Sequence, residues 1–208
     1  MAIAGNKADL YITSTPAVAV TAEACTVMTT GQGAPAANQW WRITNNARRF
    51  ADPTVAPTVK VGGVTQATNT YTWDPAGGLV KFNSVMGAVT VTVDFSYLPI
   101  TKVAGAKEWS LDMDTDLLEA TTFGDSWKRR VPGVKDATGS FNDWWVDSSF
   151  LSQLGTRLGL VLYTDFANNL RYECFGWLKG ESISSAVDGL VEDELSFEAE
   201  GNVNYATW

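Results

Sequence analysis

The stretch WSLDMDTDLLEATTFGDSWKRRVPGVKDATGSFNDWW, residues 109–145, decides the fold of this chain. Its first part alternates apolar with polar residues, which predicts a strand with two unlike faces because side chains alternate along a strand. The apolar face carries Trp109, Leu111, Met113 and Leu117. The opposite face carries Ser110, Asp112, Asp114 and Asp116.

A glycine-rich and charged segment follows this strand. We predict a loop over Glu119–Gly133, closed by a turn at Pro132, and then a second strand over Val134–Trp145. A long loop between two strands is usually functional or disordered. Phe123, Trp127 and Val131 argue against disorder, since exposed apolar side chains need a surface that covers them. That surface is either the loop's own domain or a neighbouring subunit.

Length and charge bound the possible functions. The 208 residues predict a single domain over 1–208, with a possible subdivision into 1–104 and 105–208. The apolar fraction of 45% and nine Trp are enough for a sizeable core. The net charge of −8 disfavours nucleic-acid binding that depends on neutralising phosphates.

The composition argues against an enzyme and against a metal site. The chain has no histidine, the commonest general base and metal ligand. Cys25 and Cys174 form no C-x-x-C pair, so we expect no zinc site, no cofactor and no catalytic residue. The D-x-D-x-D run at 112–116 starts like a calcium loop, but Leu117 and Phe123 replace its essential glycine and glutamate.

The remaining patterns predict an all-β fold with one short α-helix. The strand at Ala88–Leu98 alternates clearly between apolar and polar residues. The helix is expected at 147–155, capped by Asp147 or Ser148 and ended by Gly155. We identify no secretory signal and no apolar run long enough to span a bilayer, so we expect folding in a cytoplasm and no membrane partner.

A second acidic row lies near the end of the chain. In LVEDELSFEAEG, residues 190–201, apolar side chains alternate with Glu192, Glu194, Glu198 and Glu200. Solvent-facing sheets usually mix Lys with Glu, because like charges on neighbouring positions repel. Neither acidic row contains Lys or Arg, and a need for solubility does not by itself explain this pattern.

These motifs, taken in order, resemble the tail tube (major tail) proteins of long-tailed bacteriophages. The resemblance rests on a D-rich strand, the motif T-x-F-G-D-x-W-K, a P-G pair and a G-S-F-x-x-W-W strand, and it covers Trp109 to about Gly201. It implies a β-sandwich or half-barrel subunit whose sheets join between subunits into a large β-barrel. The subunits would form stacked hexameric rings in the virion, assembled in the host cytoplasm. Their partners would be the tape measure, other tail proteins and passing double-stranded DNA that is not specifically bound.

The resemblance also assigns roles to residues. The acidic rows would face the lumen, where they would repel DNA phosphates and find no specific partner. These residues are Asp112, Asp114, Asp116, Glu192, Glu194, Glu198 and Glu200. The loop would contact a neighbouring subunit or ring through Phe123, Gly124, Asp125, Trp127, Lys128, Arg129 and Arg130.

Three other functions stay open at this point. Nine Trp also suit a carbohydrate-binding β-sandwich. Paired carboxylates could belong to a glycoside hydrolase, which would need two carboxyl groups of unequal pKa in a cleft. A tail terminator or another tail-end protein is the third possibility.

Overall fold

The computed structural model describes residues 8–28, 38–123, 126–144, 150–185 and 190–206. Over these residues the chain forms two seven-stranded sheets in which all strand pairs are antiparallel. The all-β prediction is confirmed. No helix within these ranges is long and apolar enough to cross a membrane.

Sheet 1 is built from residues between 18 and 97, in the order β5-β4-β8-β2-β3-β7-β6. The core of sheet 1 is built from alternating residues. Along β8, for example, every second side chain of Val91–Phe95 is buried. Its strands are β2 (Val18–Val27), β3 (Trp40–Ile43), β4 (Thr58–Val61), β5 (Val64–Thr65), β6 (Tyr71–Asp74), β7 (Leu79–Phe82) and β8 (Val91–Tyr97).

Sheet 2 combines the first strand with the C-terminal half, in the order β10-β11-β14-β13-β12-β1-β9. Its strands are β1 (Asp9–Thr13), β9 (Ile100–Lys102), β10 (Glu108–Glu119), β11 (Arg130–Trp144), β12 (Arg157–Asp165), β13 (Leu170–Ser184) and β14 (Glu192–Ala206). In the sequence, β1 precedes every strand of sheet 1 and β9 follows every one of them. Both nevertheless belong to sheet 2, where β1 pairs with β12 and with β9.

Sheet 2 curls into a half-barrel around its own core. Trp109, on the edge strand β10, packs edge-on against Tyr172 of β13 and donates its Nε1 hydrogen to the carbonyl oxygen of Tyr163 at 3.3 Å. The ring of Phe197 on β14 lies so close to the backbone of β11 that position 139 must be glycine. A Cβ there would lie 2.5 Å from that ring. The fully enclosed members of this core are Leu10, Phe141, Leu160, Leu162, Cys174, Leu195 and Phe197.

Sheet 1 packs on the other face of sheet 2 through a small apolar junction and a buried ion network. Phe50 stacks edge-on against Phe175, with ring centroids 5.6 Å apart. Glu173, which is fully buried, pairs with Arg42 of sheet 1 and with Arg171 on its own strand. This junction covers β1, β12 and the first part of β13, where Tyr163, Val161 and Phe175 lie.

The predicted α-helix at 147–155 is wrong where it can be compared. Leu151–Gln153 forms a single 3-10 turn, in which Gln153 N–H donates to the carbonyl of Phe150 at 2.8 Å. Leu154 is already extended, and Gly155 has a positive φ of 71°. A segment this short cannot sustain α-helical hydrogen bonding without more turns. The predicted caps Asp147 and Ser148 lie outside the described residues.

The predicted loop over Glu119–Gly133 is confirmed in its middle, and only its two ends are strand. β10 runs to Glu119 and β11 starts at Arg130, so the described part of the loop is residues 120–123 and 126–129. Pro132 pairs with Leu117 and closes no turn. A proline is tolerated there because β11 at that point pairs only with β10, so its other edge needs no N–H donor. Trp145 lies outside the described residues.

We predict that Glu173→Ala destabilises the protein by about 3–5 kcal/mol, because it leaves Arg42 and Arg171 buried without their carboxylate. Urea unfolding followed by tryptophan fluorescence measures this loss. Glu200→Ala is the matched control, since it breaks an exposed pair with Arg157 and should cost less than about 1 kcal/mol. Equal losses for the two variants would contradict a role of Glu173 in holding the sheets together.

Candidate assembly surface

The two acidic rows lie on the same face of sheet 2, which we call the acidic face. Along β14, Glu192, Glu194 and Glu198 alternate with the enclosed Leu195 and Phe197, so the carboxylates point away from the half-barrel core. β11 lies between the two acidic strands. Its residue Thr138 pairs with Asp112 on one side and with Glu198 on the other. The Cα atoms of Asp112 and Glu198 are therefore about 10 Å apart, which is twice the spacing between neighbouring strands.

Cations from other parts of sheet 2 pair with most of the β14 row. Lys107, just before β10, has its Nζ 2.5 Å from a carboxylate oxygen of Glu192. Lys179 lies 2.8 Å from Glu198, and Arg157 lies 2.9 Å from Glu200. The row contains no Lys or Arg along the sequence, but the fold brings three cations beside it. Such exposed pairs contribute at most about 1 kcal/mol each, but they reduce the negative field of this part of the face.

The β10 row keeps its charge. In the described ranges no Lys or Arg forms an ion pair with Asp112, Asp114 or Asp116. Asp114 stands directly opposite Asp136 of β11, which places two carboxylates on facing positions. Like charges in directly opposed positions destabilise a sheet. This end of the acidic face therefore favours a cation from elsewhere.

β10 and β11 continue beyond the rest of the sheet as a two-stranded arm, which we call the hairpin arm and define as residues 113–123 and 126–135. β11 makes its last pair with β14 at Thr138, so the strands of the arm pair only with each other over the described residues. Its apolar side chains are exposed on both faces. Met113, Leu117, Leu118, Phe123, Trp127, Val131 and Val134 are all exposed, and Trp127 retains 85% of its accessible surface.

The residues assigned to a subunit contact lie at the tip of the hairpin arm. Phe123 and Trp127 extend fully into solvent, and Lys128 pairs loosely with Glu119 at 3.2 Å. Arg129 is exposed next to them, and Arg130 begins β11. Gly124 and Asp125 lie outside the described residues. The structure thus brings the described tip residues together on one protruding element, apart from the acidic face.

Sequence reasoning missed several members of this surface. The sequence pattern places Val131 at the end of a loop and Val134 at the start of a strand. The pairing of Pro132 with Leu117 shows that both residues belong to the hairpin arm. Asp136 was not considered, because it lies outside the acidic runs. The available signal was the alternation of Val131, Gly133 and Lys135 with their neighbours, which Pro132 obscured.

A cleft between the two sheets is the strongest candidate for a small-molecule site. It encloses about 310 Å³ and is lined by Trp40, Trp73 and Phe175 among other residues. Lys81 lies 5.1 Å from the centroid of the Trp40 ring, and Arg157 lies 5.4 Å from that of Phe175. Each of these cations therefore occupies one face of a ring on which a sugar could otherwise stack. Among the described residues, no group of three or more Cys, Asp or Glu side chains is arranged to hold a metal ion.

β14 also carries an acid on its inner face. Asp193 is 2% exposed and pairs with Asp143 of β11 across the strands. Burial, followed by the negative charges of Glu181 and Asp143, raises the pKa of Asp193 to about 6. The carboxyl group of Asp193 is therefore mostly protonated below about pH 6.

No family model matches this sequence, and no curated protein matches it. Among solved structures, a chain in the virion of a native gene transfer agent particle is similar with a TM-score of 0.42 and 12% identity, over 52% of this chain and 89% of that chain. A chain in the tail of an empty gene transfer agent particle, refined with C6 symmetry, is similar with a TM-score of 0.38 and 12% identity, over 52% of this chain and 87% of that chain. Likeness at this level does not assign a family.

We predict that Asp193→Asn stabilises the protein above about pH 6 and has little effect near pH 4. The folded-state pKa of Asp193 is raised from 3.8 to about 6, so ionisation destabilises the fold as the pH rises between these values. Above that window the gain from Asn should be about 2–3 kcal/mol. Urea unfolding at several pH values measures it. Glu194→Gln on the outer face is the control and should stay within about 0.5 kcal/mol at every pH, and a pH-independent effect of Asp193→Asn would contradict the assignment.

Proposed function

We propose that this protein is the tail tube subunit of a long-tailed bacteriophage, which assembles into stacked hexameric rings that conduct DNA. The observation that carries the proposal is the hairpin arm, with apolar side chains exposed on both faces. The sequence resemblance over residues 109–201 names the class of assembly. The proposed role is structural, with no catalytic residue, no cofactor and no membrane partner.

The hairpin arm is hard to explain in a protein that works alone. An isolated two-stranded hairpin is at best marginally stable in water. Contiguous exposed apolar surface on a soluble protein marks an interaction site. The hairpin arm has both properties, and its tip adds Lys128, Arg129 and Arg130 to an otherwise acidic chain. Contact with a second copy would bury the apolar faces and give the tip cations acidic partners.

The edges of sheet 2 suit lateral assembly as well. β10 is an edge strand of twelve residues, and β9 at the other edge is short. An exposed edge strand presents unpaired backbone N–H and C=O groups, which promote pairing with another chain. Joining sheets around a ring removes the edges, as closure does in a barrel. This supports a ring of subunits whose sheets form one large β-barrel.

The acidic face is proposed to line the bore. Asp112, Asp114 and Asp116 provide uncompensated carboxylates, whereas the β14 row contributes Glu194 together with ion-paired Glu192, Glu198 and Glu200. A bore with this mixture repels phosphates and offers DNA few free cations to bind. Tape measure and other tail proteins would be partners, as the resemblance implies. Assembly would take place in the host cytoplasm, and the product would be part of the virion.

We expect purified protein to form rings or tubes, and Trp127→Ala to impair their formation. Loss of a central aromatic anchor typically costs at least about 2 kcal/mol per contact, which raises the concentration needed for assembly roughly thirtyfold. Sedimentation velocity and negative-stain microscopy measure this. Trp177→Ala, which removes an exposed Trp of β13, is the control and should assemble normally. A wild-type protein that remains monomeric at all concentrations, and instead binds glycans, would favour the carbohydrate-binding alternative.

Reversing charge on the acidic face should leave assembly intact and make the tube bind DNA. We expect Asp112→Lys combined with Glu194→Lys to form tubes that retain double-stranded DNA at low salt and release it as salt increases. Electrophoretic mobility of a DNA fragment mixed with assembled tubes measures retention. Asp9→Lys combined with Glu23→Lys makes the same charge change elsewhere and should retain none. If the acidic-face variant fails to form rings, this face is a contact between copies and does not line a bore.

A further inference from the structure

We propose that the tip of the hairpin arm docks into a groove at the base of the same arm in a second copy of this chain. This inference rests on the proposed function and names the surface that receives the arm. The groove lies where β11 and β14 separate, and we call it the fork. It encloses about 390 Å³ and is lined by Met113, Asp114, Thr115, Lys135, Asp136, Ala137, Gly201, Asn202 and Val203.

A bulge in β14 opens the fork. Phe175 of β13 pairs with Glu200, and Glu173 pairs with Asn204, so β14 uses two more residues than β13 between these pairs. Gly201 lies within the bulge at a φ of 79°, a conformation that side chains with a Cβ rarely adopt. Bulges of this kind bend a strand and end its pairing. β14 consequently turns away from β11 beyond the pair of Glu198 with Thr138.

Among the described residues, the two strand edges that face the fork have no strand partner. Beyond Thr138, β11 pairs only with β10, and beyond Glu198, β14 pairs only with β13. The backbone N–H of Ala137 donates to the carboxylate of Asp136 at 2.8 Å, where a neighbouring strand would normally accept it. Open backbone edges on both sides of a groove fit an extended segment of polypeptide.

The charges and the apolar lining of the fork match the tip. Asp114 and Asp136 face each other across the strands, and Lys179, which is bonded to Glu198, also interacts electrostatically with Asp136. Lys135 lies on the opposite face of β11 from Asp136, by alternation. The tip offers Arg129 and Arg130, together with the exposed ring of Trp127, to the carboxylates and to the apolar walls at Met113 and Val203. Charge pairing would relieve the repulsion between the two facing aspartates. In the assembled tube Asp114 would then be compensated, and Asp112 and Asp116 would remain as the uncompensated carboxylates of the proposed bore.

The tip cannot reach the fork of its own chain. Arg129 and Ala137 are eight residues apart along one extended strand, about 26 Å. The contact must therefore join two copies, and tip and fork are different surfaces. A contact between unlike surfaces repeats from copy to copy and produces closed rings or open stacks. It adds a defined direction of growth to the assembly.

A charge swap tests the inference in the full-length protein. Asp136→Lys should raise the concentration needed for assembly at least roughly tenfold, because Arg129 and Arg130 of the neighbour would then meet a cation. Asp136→Asn, which keeps an acceptor for the Ala137 N–H, should have a smaller effect in the same direction. Combining Asp136→Lys with Arg129→Asp and Arg130→Asp should restore assembly. Glu194→Lys is the control, since it makes the same charge change on the acidic face outside the fork.

Sedimentation velocity and negative-stain microscopy give the readout, with circular dichroism and thermal melting to show that each variant is folded. If the wild type assembles and Asp136→Lys assembles equally well, or if the swap restores nothing, the fork is not the receiving surface and the tube proposal stands. If the wild type stays monomeric at every concentration, the tube proposal itself fails.

Discussion

The buried pairing of Glu173 with Arg42 and Arg171 is the interaction on which the rest of the structure depends. Charged groups removed from water are tolerated only when each has its partner, so the two sheets are held in one relative position. Arg49, also buried in this region, donates to the carbonyl oxygen of Ile43 at 2.8 Å, and burial lowers its pKa to about 8. This network decides which part of the outer face of sheet 2 is covered and which part remains open.

The division of that face has direct consequences for function. Sheet 1 covers β1, β12, the first part of β13 and the end of β14, where Asn204 donates to Asp74. The uncovered β10, β11 and first part of β14 carry the acidic face. The half-barrel core ends near Trp109 and Phe141, whereas β10 and β11 continue for several more residues. Strands that extend beyond their core gain nothing from their apolar side chains within the monomer. The hairpin arm and the fork at its base are therefore both products of the same mismatch between strand length and core size.

The elements that could be predicted from the sequence are those whose signal is local. Alternation at residues 190–201 correctly separates the enclosed Leu195 and Phe197 from the outward carboxylates. The helix at 147–155 was wrong because an apolar stripe of three residues fits a 3-10 turn as well as an α-helix. The loop at 119–133 was placed too far at its C-terminal end because Pro132 and Gly133 are turn residues elsewhere, and nothing local shows that β11 lacks a second neighbour at that point.

By itself the sequence determined that the protein is all-β, that two strands each carry a row of acids on one side, and that the loop residues Phe123 and Trp127 need a covering surface. Only the tertiary structure decided that Lys107, Lys179 and Arg157 neutralise one row and leave the other charged. It also decided that a bulge at Gly201 separates β14 from β11. The physical reason is that the face of a side chain follows from its position in its own strand, whereas its neighbours depend on pairings between segments as far apart as Lys107 and Glu192.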